Sequence, residues 1–165
     1  MECISADEIA VELAPATLDE VRLQAGRLCF ERINDRIERG ASSLPETTSA
    51  GKVFHRFLLR LSQANYTVIP VFACLEPAEL CLARVRQRVR KGGHAIPESG
   101  VLRRFDCSLE NSWHQCRLAV TRWHLVQNSG TSFEKVAIGH VGRVLIKDND
   151  QYEVFLRAIG EPGNE

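Results

Sequence analysis

Excess charge of either sign is the first thing this sequence lacks. Lysine plus arginine and aspartate plus glutamate number 21 each, so the chain is formally neutral. Neutrality argues against a general coat for nucleic acid, whose binding rests on neutralising phosphates. Long apolar runs are lacking too, and none approaches the roughly 20 residues of a membrane-spanning helix. The opening stretch, "MECISADEIA", is acidic and has no basic-then-apolar signal pattern. The expected compartment is the cytoplasm, with no membrane partner. Cysteines stand at 3, 29, 74, 81, 107 and 116. They form no CxxC pair and no Cys/His cluster of zinc spacing, so no protein metal site is expected. Several fall at apolar positions of expected helices or strands, as buried reduced thiols do. Internal repeats and low-complexity segments are also absent.

What is present is an ordinary globular composition, 44% hydrophobic and 25% charged over 165 residues. That length suits one domain with a substantial core. "ADEIAVELA" has the pattern of a short helix and "ATLDEVRLQAGRLCFERINDRIERG" that of a long one, capped by Thr17 with Glu20 completing a capping box. Val21, Ala25, Leu28, Ile33 and Ile37 recur at helical spacing, and Gly40 suits the stop. "SSLPETT" is short and extended, although Pro45 disfavours a central strand. "AGKVFHRFLLRLSQAN" places Phe54, Leu58 and Leu61 on one helical face. "YTVIPVFACL" is apolar almost throughout, as a strand covered on both sides would be. A helix opened by Pro77 follows, then another with Leu102, Phe105, Leu109, Trp113, Cys116 and Val120 at steps of three or four. "RWHLVQNSG" predicts a strand and turn, "SFEKVAIGHVGRVLIKD" one or two strands, and "DQYEVFLRAIG" a closing helix. Helices alternating with buried strands predict an α/β fold with a largely parallel sheet. Such sheets bind ligands at the carboxyl ends of their strands, where "ETT" and "QNSG" would lie.

Against the neutral whole, residues 78–104 hold seven basic residues and two acidic ones. On a helix, Arg84, Arg88 and Lys91 share a face, with Arg86 and Arg90 on a second row and Val85 and Val89 turned to the core between them. "KGGHAIP" breaks that helix, and the next one brings Arg103 and Arg104. Two arginine-bearing helices on a flexible joint describe a clamp for phosphate, which guanidinium grips bidentately. A solvated helix face would have the same composition. A nucleic-acid patch is disfavoured, because no aromatic is interleaved before Phe105.

"RVRQRVRKGGHAIPESGVLRRFDCSLEN" resembles the lid of the zeta-toxin family, in its small bacterial branch described as predicted ATPase or kinase. That branch follows the pattern RV-x-x-RV-x-x-GGH-x-VP-x-x-x-I-x-RR-aromatic-x-x-S-x-x-N. "ADEIA", the "ETT" after a long helix and the late "NSG" extend the resemblance over most of residues 4–138. It implies a three-layer P-loop-kinase-like fold with a mostly parallel sheet, as one domain over 1–165 with a helical lid at about 78–118. It also implies an ATP- and Mg²⁺-dependent kinase acting on a nucleotide-sugar such as UDP-N-acetylglucosamine, with an antitoxin protein as partner. Asp7 would be the general base, and Glu46, Thr47 and Thr48 would bind the sugar. Arg84 and Arg88 would be catalytic lid residues, and Arg103 and Arg104 a second clamp on the phosphates. Spacing does not choose which of the four meets the transferred group. His94 would be a structural hinge residue, and Asn128 and Ser129 would lie beside adenine.

The chain departs from the family in one large respect. No G-x-x-x-x-G-K-[ST] occurs, and the only GK pair, Gly51-Lys52, is followed by Val53 and expected at the surface. The resemblance implies that a first strand and phosphate loop, on the order of 20–30 residues, are missing ahead of "ADEIA". Ser43, Pro45 and Gln127 stand where the family prefers apolar residues or aspartate. These departures suit a shortened or decaying copy, or a start upstream of Met1. Three functions follow: a small-molecule kinase with weakened or no activity, a non-catalytic remnant binding a nucleotide-sugar or an antitoxin-like protein, or a nucleic-acid module.

Overall fold

The computed structural model describes residues 2–13, 18–50, 52–74, 78–91, 95–130 and 132–162. Thr17, Gly51, Pro77 and the residues expected to form a hinge, Gly92, Gly93 and His94, lie outside the described residues, as does the Glu20 side chain. The chain forms two compact units, Met1–Thr47 and Thr48–Glu165. Among the described residues no helix is long and apolar enough to cross a membrane.

The first unit runs β1 (Glu2–Ser5), α1 (Ala6–Leu13), α2 (Leu18–Glu38) and β2 (Ser43–Glu46). β1 and β2 pair in parallel from Glu2↔Ser43 to Ser5↔Glu46. Pro45 is tolerated because this is a sheet of two strands, where it has an unpaired side. Ala25, Cys29 and Ile33 form the buried stripe of α2 at i, i+4, i+8; Cys29 takes the place expected of Leu28, which is half-buried, as is Ile37 further along the stripe. α1 buries Ile9 and Ala10 and packs against α2. Arg32 Nη2 donates to Glu12 Oε2 at 2.7 Å across the pair. That hydrogen bond, and then the guanidinium charge, hold the Glu12 carboxyl below its ordinary value. The tie is therefore present at neutral pH and fades as acid protonates Glu12 through that lowered value. The helix stops at Gly40, as its sequence predicts, with φ 63°.

The second unit runs α3 (Lys52–Gln63), β3 (Val71–Cys74), α4 (Ala78–Arg90), α5 (Glu98–His114), a 3₁₀ turn (Cys116–Ala119), β4 (Arg122–Gln127), β5 (Glu134–His140), β6 (Arg143–Ile146) and α6 (Asn149–Ala158). The strand order is β3-β4-β5-β6. β3 pairs β4 in parallel, whereas β4–β5 and β5–β6 are antiparallel. The α/β class is as predicted, and parallel pairing holds for β1–β2 and β3–β4. The larger sheet is mixed because the last two strands form a hairpin on a two-residue turn, too short for a parallel crossover. β3 is also shorter than "YTVIPVFACL" predicts and alternates in exposure, with Val71 59% exposed.

The core of this unit is aromatic. Trp113 of α5 meets Trp123 edge-on at 5.6 Å between centroids, Tyr152 at 6.0 Å and Phe155 at 5.2 Å. Leu109, Leu125, Val136, Ala137 and Leu156 close the cluster. Trp123 stands directly opposite Gly139 in the β4–β5 ladder. A Cβ at position 139 would land inside the Trp123 indole, so glycine is required there. Asp148 caps α6 by accepting from the Gln151 amide at 3.0 Å.

Two substitutions test this packing. Gly139→Ala must displace Trp123 and should lower the unfolding free energy by about 2–3 kcal/mol, as overpacked cores do. The β5–β6 turn places Val141 at φ 46° beside Gly142 at φ 74°. A β-branched residue is strained there, so Val141→Asn should raise stability by about 1 kcal/mol. Urea unfolding of both variants checks the pair, and a neutral Gly139→Ala would refute the indole packing.

Candidate functional site

In the first unit the parallel register ends β1 and β2 side by side, with Ser5 opposite Glu46. Asp7 follows Ser5 by two positions, in the first turn of α1, and Thr47 follows Glu46. Asp7, Glu46 and Thr47 are thus brought to the same end of one sheet, all exposed. The sequence produces this because Glu46 ends one short strand and Asp7 follows the end of the other by two residues, with the two strand ends in register. A carboxylate in the first helical turn also complements the helix dipole. Thr48, likewise exposed, begins the second unit.

In the second unit the carboxyl ends of β3 and β4 lie together. The Asn128 amide donates to the Cys74 carbonyl at 2.9 Å, joining the turn after β4 to the last residue of β3. Asn128, Ser129 and Gly130 form this turn. Arg84 Nη2 donates to the Gly130 carbonyl at 3.3 Å. The structure therefore brings Arg84 to the turn that holds Asn128 and Ser129, residues picked out in two separate stretches of sequence. Arg88 lies one helical turn further along the same face. Burial pushes the Cys81 thiol up, and the charges of Arg84 and Arg88 draw it back, which places both guanidinium groups on the Cys81 side of α4.

Arg86, on the other row, has a different occupation. Its Nε donates to Glu98 Oε1 at 2.9 Å, and its Nη2 reaches the same oxygen. This pair joins α4 to the first residue of α5, on either side of the helix break. Val85 and Val89 are only half-buried, and α4 buries none of its residues. Arg103 is exposed and Arg104 half-buried on the first half of α5. The second half of α5 carries Leu109 and Trp113 into the core, and Cys116 follows, 1% exposed. The range 78–118 is therefore not peripheral throughout: α4 buries no residue, whereas α5 buries Val101, Leu109, Ser112 and Trp113, and Cys116 is buried after it. The apolar spacing of this helix pointed to that, although Val101 takes the buried place expected of Leu102, which is 37% exposed.

Three features escape sequence reasoning: the Gly130 carbonyl, the Arg86–Glu98 pair, and a bond from Asn111 Nδ2 to the Ser49 carbonyl at 3.0 Å. Only Glu98 carried a signal, as an acid in a first helical turn. Among the described residues no three His, Cys, Asp or Glu side chains converge on a possible metal site. Burial pushes the Cys116 thiol up to about 11, which keeps it protonated and inert at neutral pH.

Compared with known proteins, the chain matches no family model, no curated protein and no solved structure.

The arginine contacts are modest in stability. Arg86 and Glu98 side chains are 59% and 57% exposed, so Glu98→Gln should cost about 0.2–1 kcal/mol. Arg84→Ala should cost about 0.5–1.5 kcal/mol, one ordinary hydrogen bond. Thermal or urea unfolding measures both. A loss above about 3 kcal/mol in either would mean that α4 is a structural element and not a peripheral arm.

Proposed function

We propose that this chain is a phosphotransferase-type module of the zeta-toxin family, which binds a nucleotide through its arginine-bearing helices and a nucleotide-sugar through Asp7, Glu46, Thr47 and Thr48. The observation that carries the reading is the Arg84–Gly130 bond, which seats the α4 arginine row against the Asn128–Ser129 turn at the carboxyl ends of two parallel strands. Anionic ligands bind at such ends in α/β sheets, and planar guanidinium groups suit phosphate oxygens. Arg84 and Arg88 would neutralise charge building on the transferring phosphoryl group, and Arg103 and Arg104 would hold the remaining phosphates. Asn128 and Ser129 would meet the base. Asp7 would take the proton of the attacking sugar hydroxyl, with Glu46, Thr47 and Thr48 orienting the sugar.

Mg²⁺ normally sits between a phosphate-loop hydroxyl and an acidic partner. The residues here do not fit that requirement, since no G-x-x-x-x-G-K-[ST] supplies the hydroxyl. No step is therefore routed through the ion. This same sequence feature favours a second reading, in which the module binds a nucleotide-sugar or an antitoxin-like protein without turnover. Positioning and charge neutralisation supply nearly all phosphoryl-transfer catalysis, and the phosphate loop supplies much of both.

Calorimetry on residues 1–165 with ATP in EDTA should show binding that weakens roughly 10- to 100-fold in Arg84→Ala and Arg88→Ala, the loss of a charged hydrogen bond. Exposed Arg90, on the other row, is the comparison, and Arg90→Ala should stay within about twofold. Arg84→Lys should rescue poorly, because a point charge does not replace the planar fork. Phosphoryl transfer to UDP-N-acetylglucosamine should remain at background. If the alanine variants all bind like the parent, the basic segment is a solvated face and the proposal fails. Robust turnover abolished by Asp7→Asn would reject the second reading.

A further inference from the structure

Two polar positions of the lid motif, Ser108 and Asn111, have no part in the chemistry above. Ser108 Oγ donates to the Phe105 carbonyl at 2.8 Å, within its own helix. Asn111 instead reaches 62 positions back, where its Nδ2 donates to the Ser49 carbonyl at 3.0 Å. Its amide is oriented from behind, because Gln115 Nε2 donates to Asn111 Oδ1, also at 3.0 Å. Ser49 is 8% exposed and has φ 54°, the left-handed region that a non-glycine residue adopts at a cost. Such a conformation persists only where the surroundings hold it. Asn111 lies between Leu109 and Trp113, both in the aromatic core. The tether is therefore anchored to an element that does not move easily.

We infer that Asn111 is a positioning residue for acceptor binding: the relay Gln115–Asn111–Ser49 holds the strained turn that presents Thr48. This rests on the kinase-type reading of Thr48 as a sugar-binding residue. Thr48 is exposed and immediately precedes Ser49, so the direction of the chain at Ser49 sets where its hydroxyl and backbone point. Arg103 and Arg104 stand on the same helix, Arg104 about 10 Å along the axis from Asn111. One rigid helix would thus carry arginines for the donor phosphates and fix the acceptor segment.

Asn111→Asp tests this with almost no change of shape. A carboxylate cannot donate, and it faces a carbonyl with negative charge. Gln115→Glu never touches the turn, yet it should act in the same direction. An acceptor at 115 draws the Asn111 Nδ2 group towards itself and turns Oδ1 to Ser49. Both variants should exchange the amide hydrogens of residues 48–50 at least roughly tenfold faster than the parent. Both should weaken binding of UDP-N-acetylglucosamine by roughly tenfold while leaving ATP binding within about twofold. A merely structural defect would instead lower both affinities and the thermal midpoint together. Unchanged exchange at 48–50 would overturn the tether. Faster exchange with undiminished acceptor binding would overturn the positioning role alone. A parent chain that binds no UDP-N-acetylglucosamine would overturn the acceptor role and the kinase-type reading with it.

Discussion

The second unit depends on the indole of Trp123 lying against the bare backbone of Gly139. This contact lets an aromatic side chain fill the space above a neighbouring strand, and the same indole meets Trp113 in a T-shaped pair. Trp113 then gathers Tyr152 and Phe155 from α6, so one side chain of α5 binds both the sheet and the last helix. Everything proposed for function on α5 follows from how firmly Trp113 is held. Arg103 and Arg104 stand between buried Val101 and buried Leu109, and Asn111 stands between Leu109 and Trp113.

The basic segment has a physical reason for its composition. α4 buries no residue fully, and its apolar side chains Leu80, Leu82, Val85 and Val89 are only half-buried. Two of its attachments are polar: Arg84 to the Gly130 carbonyl and Arg86 to Glu98. Exposed polar attachments contribute little to stability, and they exchange readily for other anionic or carbonyl partners. An arm held in this way can be redirected by a phosphate group at small cost. The two arginine rows are consequently not equivalent: one faces the strand ends, and the other ties the two helices together.

Much of the local structure was legible in the sequence. The helical periods of α2, α3 and α5, the stop at Gly40, the turn after Gln127 and the closing helix come from spacing and turn chemistry, which act over a few residues. Errors of one position arose where two apolar candidates were adjacent, as with Leu28 and Cys29 or Val101 and Leu102. Hydrophobicity alone does not choose between neighbours that differ by 100° around a helix; the neighbouring element does. The antiparallel pairing of β4 with β5 was equally unresolved, because an apolar run identifies a strand but not the direction of its neighbour.

The sequence by itself determined most of the segments that are helices and strands, though not β1, together with the concentration of arginine on two successive helices and the absence of a phosphate-loop motif within these residues. Each of these is a property of contiguous residues. Only the tertiary structure decided that Arg84 meets the Asn128–Gly130 turn, that Arg86 pairs with Glu98, and that Asn111 holds Ser49. Those contacts join residues 46, 12 and 62 positions apart. They involve backbone carbonyls and exposed charges, which leave no periodic trace in a sequence. The strained backbone at Ser49 belongs to the same class, since a serine does not announce a left-handed conformation that only its surroundings impose.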